Sequence, residues 1–99
     1  MTLLGASEIR ELAAKLELNP SKGLGQNFVI DGNVCQRIVR QVDIKEGDLI
    51  LEIGPGLGSL TLAILETGAQ LIAVEIDTRL ATQLPETVNL HNSSADLIV

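Results

Sequence analysis

The sequence has very few of the residue types on which many functional sites depend. Its 99 residues include one cysteine, one histidine and one phenylalanine, with no tryptophan and no tyrosine. A single cysteine, Cys35, excludes a disulfide within the chain and argues against a cysteine-based metal cluster. Cys35 sits within a helical apolar pattern, so we expect a buried thiol and no metal site.

Long apolar runs and strong positive charge are also absent. The longest apolar runs are far below the ~18 residues of a membrane span, and the first residues lack the charged, apolar and small-residue regions of a signal sequence. We therefore expect a cytoplasmic protein without a membrane partner. The net charge of -6 argues against a free-standing nucleic-acid-binding domain, although Lys15, Lys22, Arg37 and Arg40 leave room for a local basic patch.

The most informative stretch runs from Leu49 to Asp77. Leu49–Ile53 is a short apolar run of strand length, and the glycine-rich segment Gly54–Gly58 follows it directly. The next residues repeat apolar side chains at helical spacing up to Gly68, and Leu71–Glu75 is a second apolar run. This order predicts a strand, a helix and a parallel strand that is covered on both faces.

The three glycines of the segment Gly54–Gly58 favour a ligand over a mere tight turn. Glycines accept positive φ and allow a ligand to approach the backbone closely. Glu75 stands 21 residues after Gly54, which suits an acid that binds a ribose. A dinucleotide-binding fingerprint would require glycine where Ser59 stands. The segment Glu52–Gly58 instead resembles the first motif of S-adenosylmethionine-dependent methyltransferases.

Other helices and a third strand are predicted around this unit. Ser7 is placed to cap a helix that runs to about Leu18, and Asp31 to cap a second helix. Asp77 is placed to cap a short helix that Pro85 ends at Leu84, and Val88–Asn92 reads as a weaker strand. The predicted class is α/β, with three parallel strands in the order 3-2-1 and flanking helices. The predicted strands are Leu49–Ile53, Leu71–Glu75 and Val88–Asn92.

A second motif lies between Lys22 and Asp31. Its amides, Gln26 and Asn27, directly precede the only aromatic ring in the sequence, Phe28. This arrangement suits a ligand-facing loop or, alternatively, an apolar plug beside exposed polar residues. Taken with the glycine motif and the acidic pair after the second strand, this segment resembles the ribosomal RNA adenine dimethyltransferases. The resemblance extends from about Lys22 to Leu84.

The resemblance implies a function and a set of cofactor contacts. It implies a Rossmann-like class I fold that binds S-adenosyl-L-methionine and methylates adenines of small-subunit ribosomal RNA, with that RNA or a pre-30S-type particle as partner. Asn27 and the backbone at Val29 would contact the methionine part of the cofactor, Gly54 would pack against it, and Glu75 would bind the ribose. An aspartate just after the third strand would bind the adenine amine, and we favour Asp96 over Ser94.

The family's catalytic tetrapeptide, Asn or Asp followed by Leu, Pro and an aromatic residue, does not occur here. We therefore expect an N-terminal part of such an enzyme, inactive alone, with a helical extension over residues 1–21 and a partial cofactor domain over residues 22–99. An unpaired sheet edge would make it marginally stable or self-associating. Two alternatives are another nucleotide-dependent enzyme and a non-catalytic module that binds RNA or assists assembly.

Overall fold

The computed structural model describes residues 2–18 and 31–99, which form an α/β fold around one parallel sheet. The three strands lie in the order β1-β2-β3 and are parallel throughout, as predicted. The elements are α1 (Ala6–Lys15), α2 (Gly32–Val42), β1 (Leu49–Ile53), α3 (Ser59–Leu65), β2 (Gln70–Val74), α4 (Thr78–His91) and β3 (Asp96–Ile98).

The register of the strands divides the sheet into a covered and an open face. Leu71 and Ala73 of β2 are only 1% and 2% exposed and belong to the core, which also contains buried apolar residues of all four helices. On the opposite face, Leu49, Leu51 and Ile53 are between 62% and 70% exposed. Val74 of β2 also lies on this open face and is 51% exposed, so the prediction that the second strand is covered on both faces is wrong for the part of the chain described. Here the helices cover one face only.

The predicted third strand is also wrong. Val88–Asn92 does not form a strand, because α4 continues through Pro85 as far as His91, and β3 begins at Asp96. Proline has no N–H to donate within a helix, but Leu80, Leu84 and Val88 are at most 3% exposed and follow one another at four-residue spacing. Burial of this helical stripe outweighs the missing hydrogen bond.

The helix caps agree with the sequence at two of three positions. The Asp31 carboxylate accepts from Asn33 N at 2.8 Å, and Asp77 accepts from Arg79 N at 2.9 Å, so both are N-caps as predicted. Ser7 is not a cap, because α1 begins at Ala6 after Gly5 and ends at Lys15, before the predicted Leu18.

The imidazole of His91 joins the two ends of the described chain. Its Nε2 lies 2.6 Å from Oε2 of Glu8 in α1, and its Nδ1 bonds to the hydroxyl of Thr2. His91 therefore ends a helix and carries a largely buried side chain.

None of the helices described is both long and apolar enough to cross a membrane. Within residues 2–18 and 31–99, no group of three or more histidine, cysteine, aspartate or glutamate side chains is placed to hold a metal ion.

Candidate functional site

The glycine turn connects the carboxyl end of β1 to α3 and leaves space above one of its glycines. Gly54 has φ of +70°, and its N–H donates to the Val74 carbonyl at 2.8 Å, which continues the pairing of the two strands. A Cβ at Gly54 would meet no atom of residues 2–18 and 31–99 within 4 Å. A Cβ at Gly58, where φ is +103°, would lie 2.8 Å from Cδ1 of Leu84. Gly58 is thus required by packing, whereas Gly54 borders open space.

Glu75 lies against this turn, directly after β2. Its Oε1 accepts a hydrogen bond from Gly56 N at 3.1 Å, and its Oε2 accepts one from Asp77 N at 3.1 Å. Because β1 and β2 are parallel, their carboxyl ends meet at one edge of the sheet. The structure therefore brings two of the predicted site residues, Gly54 and Glu75, to the same place.

A second carboxylate lies beneath the turn, at Glu52 of β1. It is 9% exposed, and its Oε1 accepts a hydrogen bond of 2.6 Å from the hydroxyl of Thr61, which is fully buried in α3. Burial raises the pKa of Glu52; the Thr61 hydrogen bond opposes this rise, and the charge of Glu75 adds to it. The sequence showed Glu52 only as part of a motif. Thr61, nine residues later, is the hydroxyl residue in the sequence that could have indicated the hydrogen-bond partner of Glu52.

The structure does not bring Asp96 to this edge. Asp96 is the first residue of β3, and its Oδ2 accepts from Gln70 Nε2 at 2.8 Å at the start of β2. These are the amino ends of the strands, opposite Gly54 and Glu75. The expectation that Asp96 follows the third strand is wrong, because the residue after β3 is Val99. Ser94 lies in the turn before β3, where its hydroxyl donates to Asn92 Oδ1 at 3.3 Å.

Asn27 and Val29 lie outside the residues that the structure describes. The described chain resumes at Asp31, which caps α2. Cys35 of that helix is completely buried, as predicted, and burial raises the pKa of its thiol, with smaller contributions from the charges of Asp31 and Glu52. The beginning of α2 therefore lies within electrostatic range of Glu52.

Comparison with known proteins decides the family. The model of the ribosomal RNA adenine dimethylase family matches residues 18–97, which is most of the chain. The chain belongs to this family. The resemblance noted in the glycine motif and the segment from Lys22 to Asp31 is thereby confirmed.

Individual relatives agree with this family membership. The chain is 56% identical over 98 residues to the ribosomal RNA small subunit methyltransferase A of Corynebacterium jeikeium. The aligned region covers 98% of the chain and 31% of that protein. It is 57% identical over 88 residues to the protein of the same name from Leifsonia xyli, covering 89% of the chain and 31% of that relative. The chain thus spans about a third of the length of these relatives.

A solved structure supports the fold. The crystal structure of PH1948 from Pyrococcus horikoshii, provisionally named an RNA methyltransferase, matches 91% of this chain and 49% of its own with a TM-score of 0.54. At 21% sequence identity this likeness concerns the fold alone. Together with the parallel sheet, it supports a Rossmann-like α/β fold for this member of the adenine dimethylase family.

Proposed function

We propose that this chain is the cofactor-binding part of an enzyme that transfers methyl groups from S-adenosyl-L-methionine to adenine amines of small-subunit ribosomal RNA. The observation that carries the proposal is the Glu75 carboxylate held against a glycine turn, beside the open space over Gly54. Family membership and the names of the relatives support the same reaction. The RNA, within a pre-30S-type particle in the cytoplasm, is proposed as the partner.

The residues at this edge of the sheet fit the cofactor. A carboxylate accepts hydrogen bonds from two ribose hydroxyls, and Glu75 offers such a group at the carboxyl end of β2. The empty position above Gly54 admits a ligand that a side chain would exclude. Asn27 and the backbone at Val29 are proposed to hold the methionine part of the cofactor. Asp96 is not proposed as a contact, because it lies at the other edge of the sheet.

The division of chemical roles follows from these positions. When bound, S-adenosylmethionine supplies a methyl group on a positively charged sulfur, which is open to direct displacement by an amine. The chain described here would bind and orient the cofactor. It has no tetrapeptide of the type that holds the target adenine, so we expect cofactor binding without methyl transfer by this chain alone.

Calorimetric titration of S-adenosylmethionine into the chain tests the proposal. We expect saturable binding that is weakened at least about tenfold by Glu75→Ala, a loss on the scale of one charge-assisted hydrogen bond. Glu86→Ala is the matched control, because Glu86 is an exposed carboxylate of α4. Asn27→Ala is expected to weaken binding as well, and NADH is expected not to compete.

Thermal unfolding of each variant shows whether a loss of affinity reflects a loss of structure. A folded wild-type chain that gives no saturable binding would contradict the proposal. Equal affinities of the wild-type and Glu75→Ala chains would contradict it too, since the predicted ribose contact would then contribute nothing.

A further inference from the structure

Glu52 is a buried carboxylate whose charge has no nearby cation in the described chain. Among residues 2–18 and 31–99, its only hydrogen bond comes from Thr61, and no lysine, arginine or histidine nitrogen lies within 4 Å of its oxygens. A buried carboxylate is normally paired, because removing its charge from water is costly. A single hydroxyl donor compensates only part of that cost.

The other titratable groups that act on Glu52 do not supply a positive charge. Glu75 faces it from the end of β2, Cys35 of α2 lies within range of its charge, and Thr61 of α3 is neutral. Glu52 lies on β1 two residues before Gly54, and the Glu75 carboxylate accepts a hydrogen bond from Gly56 N, so both carboxylates border the same glycine turn. A positive charge bound at this turn would therefore interact with both of them.

We propose that Glu52 makes this site selective for a positively charged nucleoside ligand, so that it holds S-adenosylmethionine more tightly than the reaction product S-adenosylhomocysteine. The two ligands share the adenosine, amino and carboxylate groups and differ in the sulfur, which is a cationic sulfonium in the first and a neutral thioether in the second. The inference rests on the proposed function. Glu52 acts here as a charge-compensating residue, and Thr61 fixes its position.

Titrating both ligands separately into wild-type and variant chains tests this inference. Glu52→Gln removes the charge but keeps the shape and an acceptor for the Thr61 hydroxyl. We expect it to reduce the ratio of the affinities for S-adenosylmethionine and S-adenosylhomocysteine by about tenfold, the equivalent of one pKa unit of charge interaction. Glu66→Gln is the matched control, since Glu66 is a half-buried carboxylate at the end of α3 that bonds to Gln36. It should leave the ratio unchanged.

The ratio separates a charge effect from a structural one. A general loosening of the site would weaken both ligands equally and leave their ratio intact. An unchanged ratio in Glu52→Gln, with both ligands still bound, would overturn this inference and leave the proposed function standing. A folded wild-type chain that binds neither ligand would overturn both.

Thr61→Val provides a second route if Glu52→Gln fails to fold. Removing the hydroxyl takes away the hydrogen bond that favours the charged form of Glu52. The pKa of Glu52 should then rise further, so that the carboxylate becomes protonated at a higher pH. As the pH is lowered, the preference for the cationic ligand should therefore be lost at a higher pH than in the wild-type chain. Identical pH profiles of the affinity ratio would argue decisively against a role for the Glu52 charge, since Glu75 and Cys35 are the same in both chains.

Discussion

Two glycines of the same turn should respond in opposite ways to the same substitution. Gly58→Ala places a methyl group 2.8 Å from Cδ1 of Leu84, a side chain that is only 1% exposed, whereas Gly54→Ala places it in open space. Both positions have positive φ, and so does Gly47, where an added Cβ would also meet nothing within 4 Å in the part of the chain that the structure describes. Gly47 lies in the turn before β1 and is therefore the control for backbone strain alone.

The magnitudes follow from these surroundings. Left-handed backbone costs an L-residue roughly 1–2 kcal/mol, and the lower entropy of the unfolded alanine chain returns about 0.4–1 kcal/mol. We therefore expect Gly47→Ala and Gly54→Ala each to lower the free energy of unfolding by about 1 kcal/mol. Crowding in a packed core adds roughly 1–3 kcal/mol, so Gly58→Ala should cost roughly 2–4 kcal/mol.

Urea unfolding followed by circular dichroism measures these differences, provided that the slope of the transition is unchanged. Calorimetric titration with S-adenosylmethionine supplies the second measurement. Gly54→Ala should lose affinity at least about tenfold, or about 1.4 kcal/mol, because its methyl group occupies the proposed ligand position. Gly47→Ala should bind like the wild-type chain.

Leu84→Ala tests whether the cost at Gly58 comes from the contact described. Removing the Leu84 side chain makes room for the new methyl group, so the double variant should lose less stability than the sum of the two single variants. A Gly58→Ala cost no larger than that of Gly47→Ala would refute the packing argument. Unchanged affinity in Gly54→Ala would refute the assignment of the space above the turn to a ligand.

Two further predictions concern buried titratable groups. The raised pKa of Glu52 means that the folded chain holds the carboxyl proton more tightly than the unfolded chain, in which glutamate titrates near about pH 4.3. The free energy of unfolding should therefore fall as the pH rises from about 4.3 through the pKa of Glu52 in the folded chain. Urea titrations at several pH values should show that Glu52→Gln lacks this contribution to the pH dependence. A pH dependence identical in both chains would contradict it. The buried Cys35 thiol, whose pKa burial also raises, should react with iodoacetamide far more slowly in the folded than in the urea-unfolded chain, and equal rates would contradict its burial.

Local sequence patterns predicted the central unit well. Leu49–Ile53 has the predicted bounds, and the second strand is displaced by one residue, to Gln70–Val74. Residues of this unit are close in sequence, and the glycine turn constrains the backbone between strand and helix. The same stretch supplied Gly54 and Glu75, which the structure places together.

The failures arose where contacts between distant elements decide the structure. Pro85 by itself predicts the end of a helix, but Leu84 and Val88 bury their side chains on either side of it, and local sequence patterns do not show this packing. The resulting error in the third strand also displaced the aspartate that was predicted to bind adenine. Asp96 begins β3 instead of following it, so one mistaken helix boundary moved a predicted site residue to the opposite edge of the sheet.

The contacts around the glycine turn have a consequence for how the chain folds. From Leu49 to Glu75, one continuous stretch supplies β1, the turn, α3, β2 and the carboxylate that bonds back to Gly56. The β1–β2 pairs and the bond from Gly56 to Glu75 join residues 19 to 21 apart, so closing this segment costs less loop-closure entropy than joining α1 to α4, as the bond between Glu8 and His91 does. The floor of the proposed cofactor site is therefore a sequence-local folding unit, and a bound ligand would bridge the two ends of this stretch and slow its unfolding.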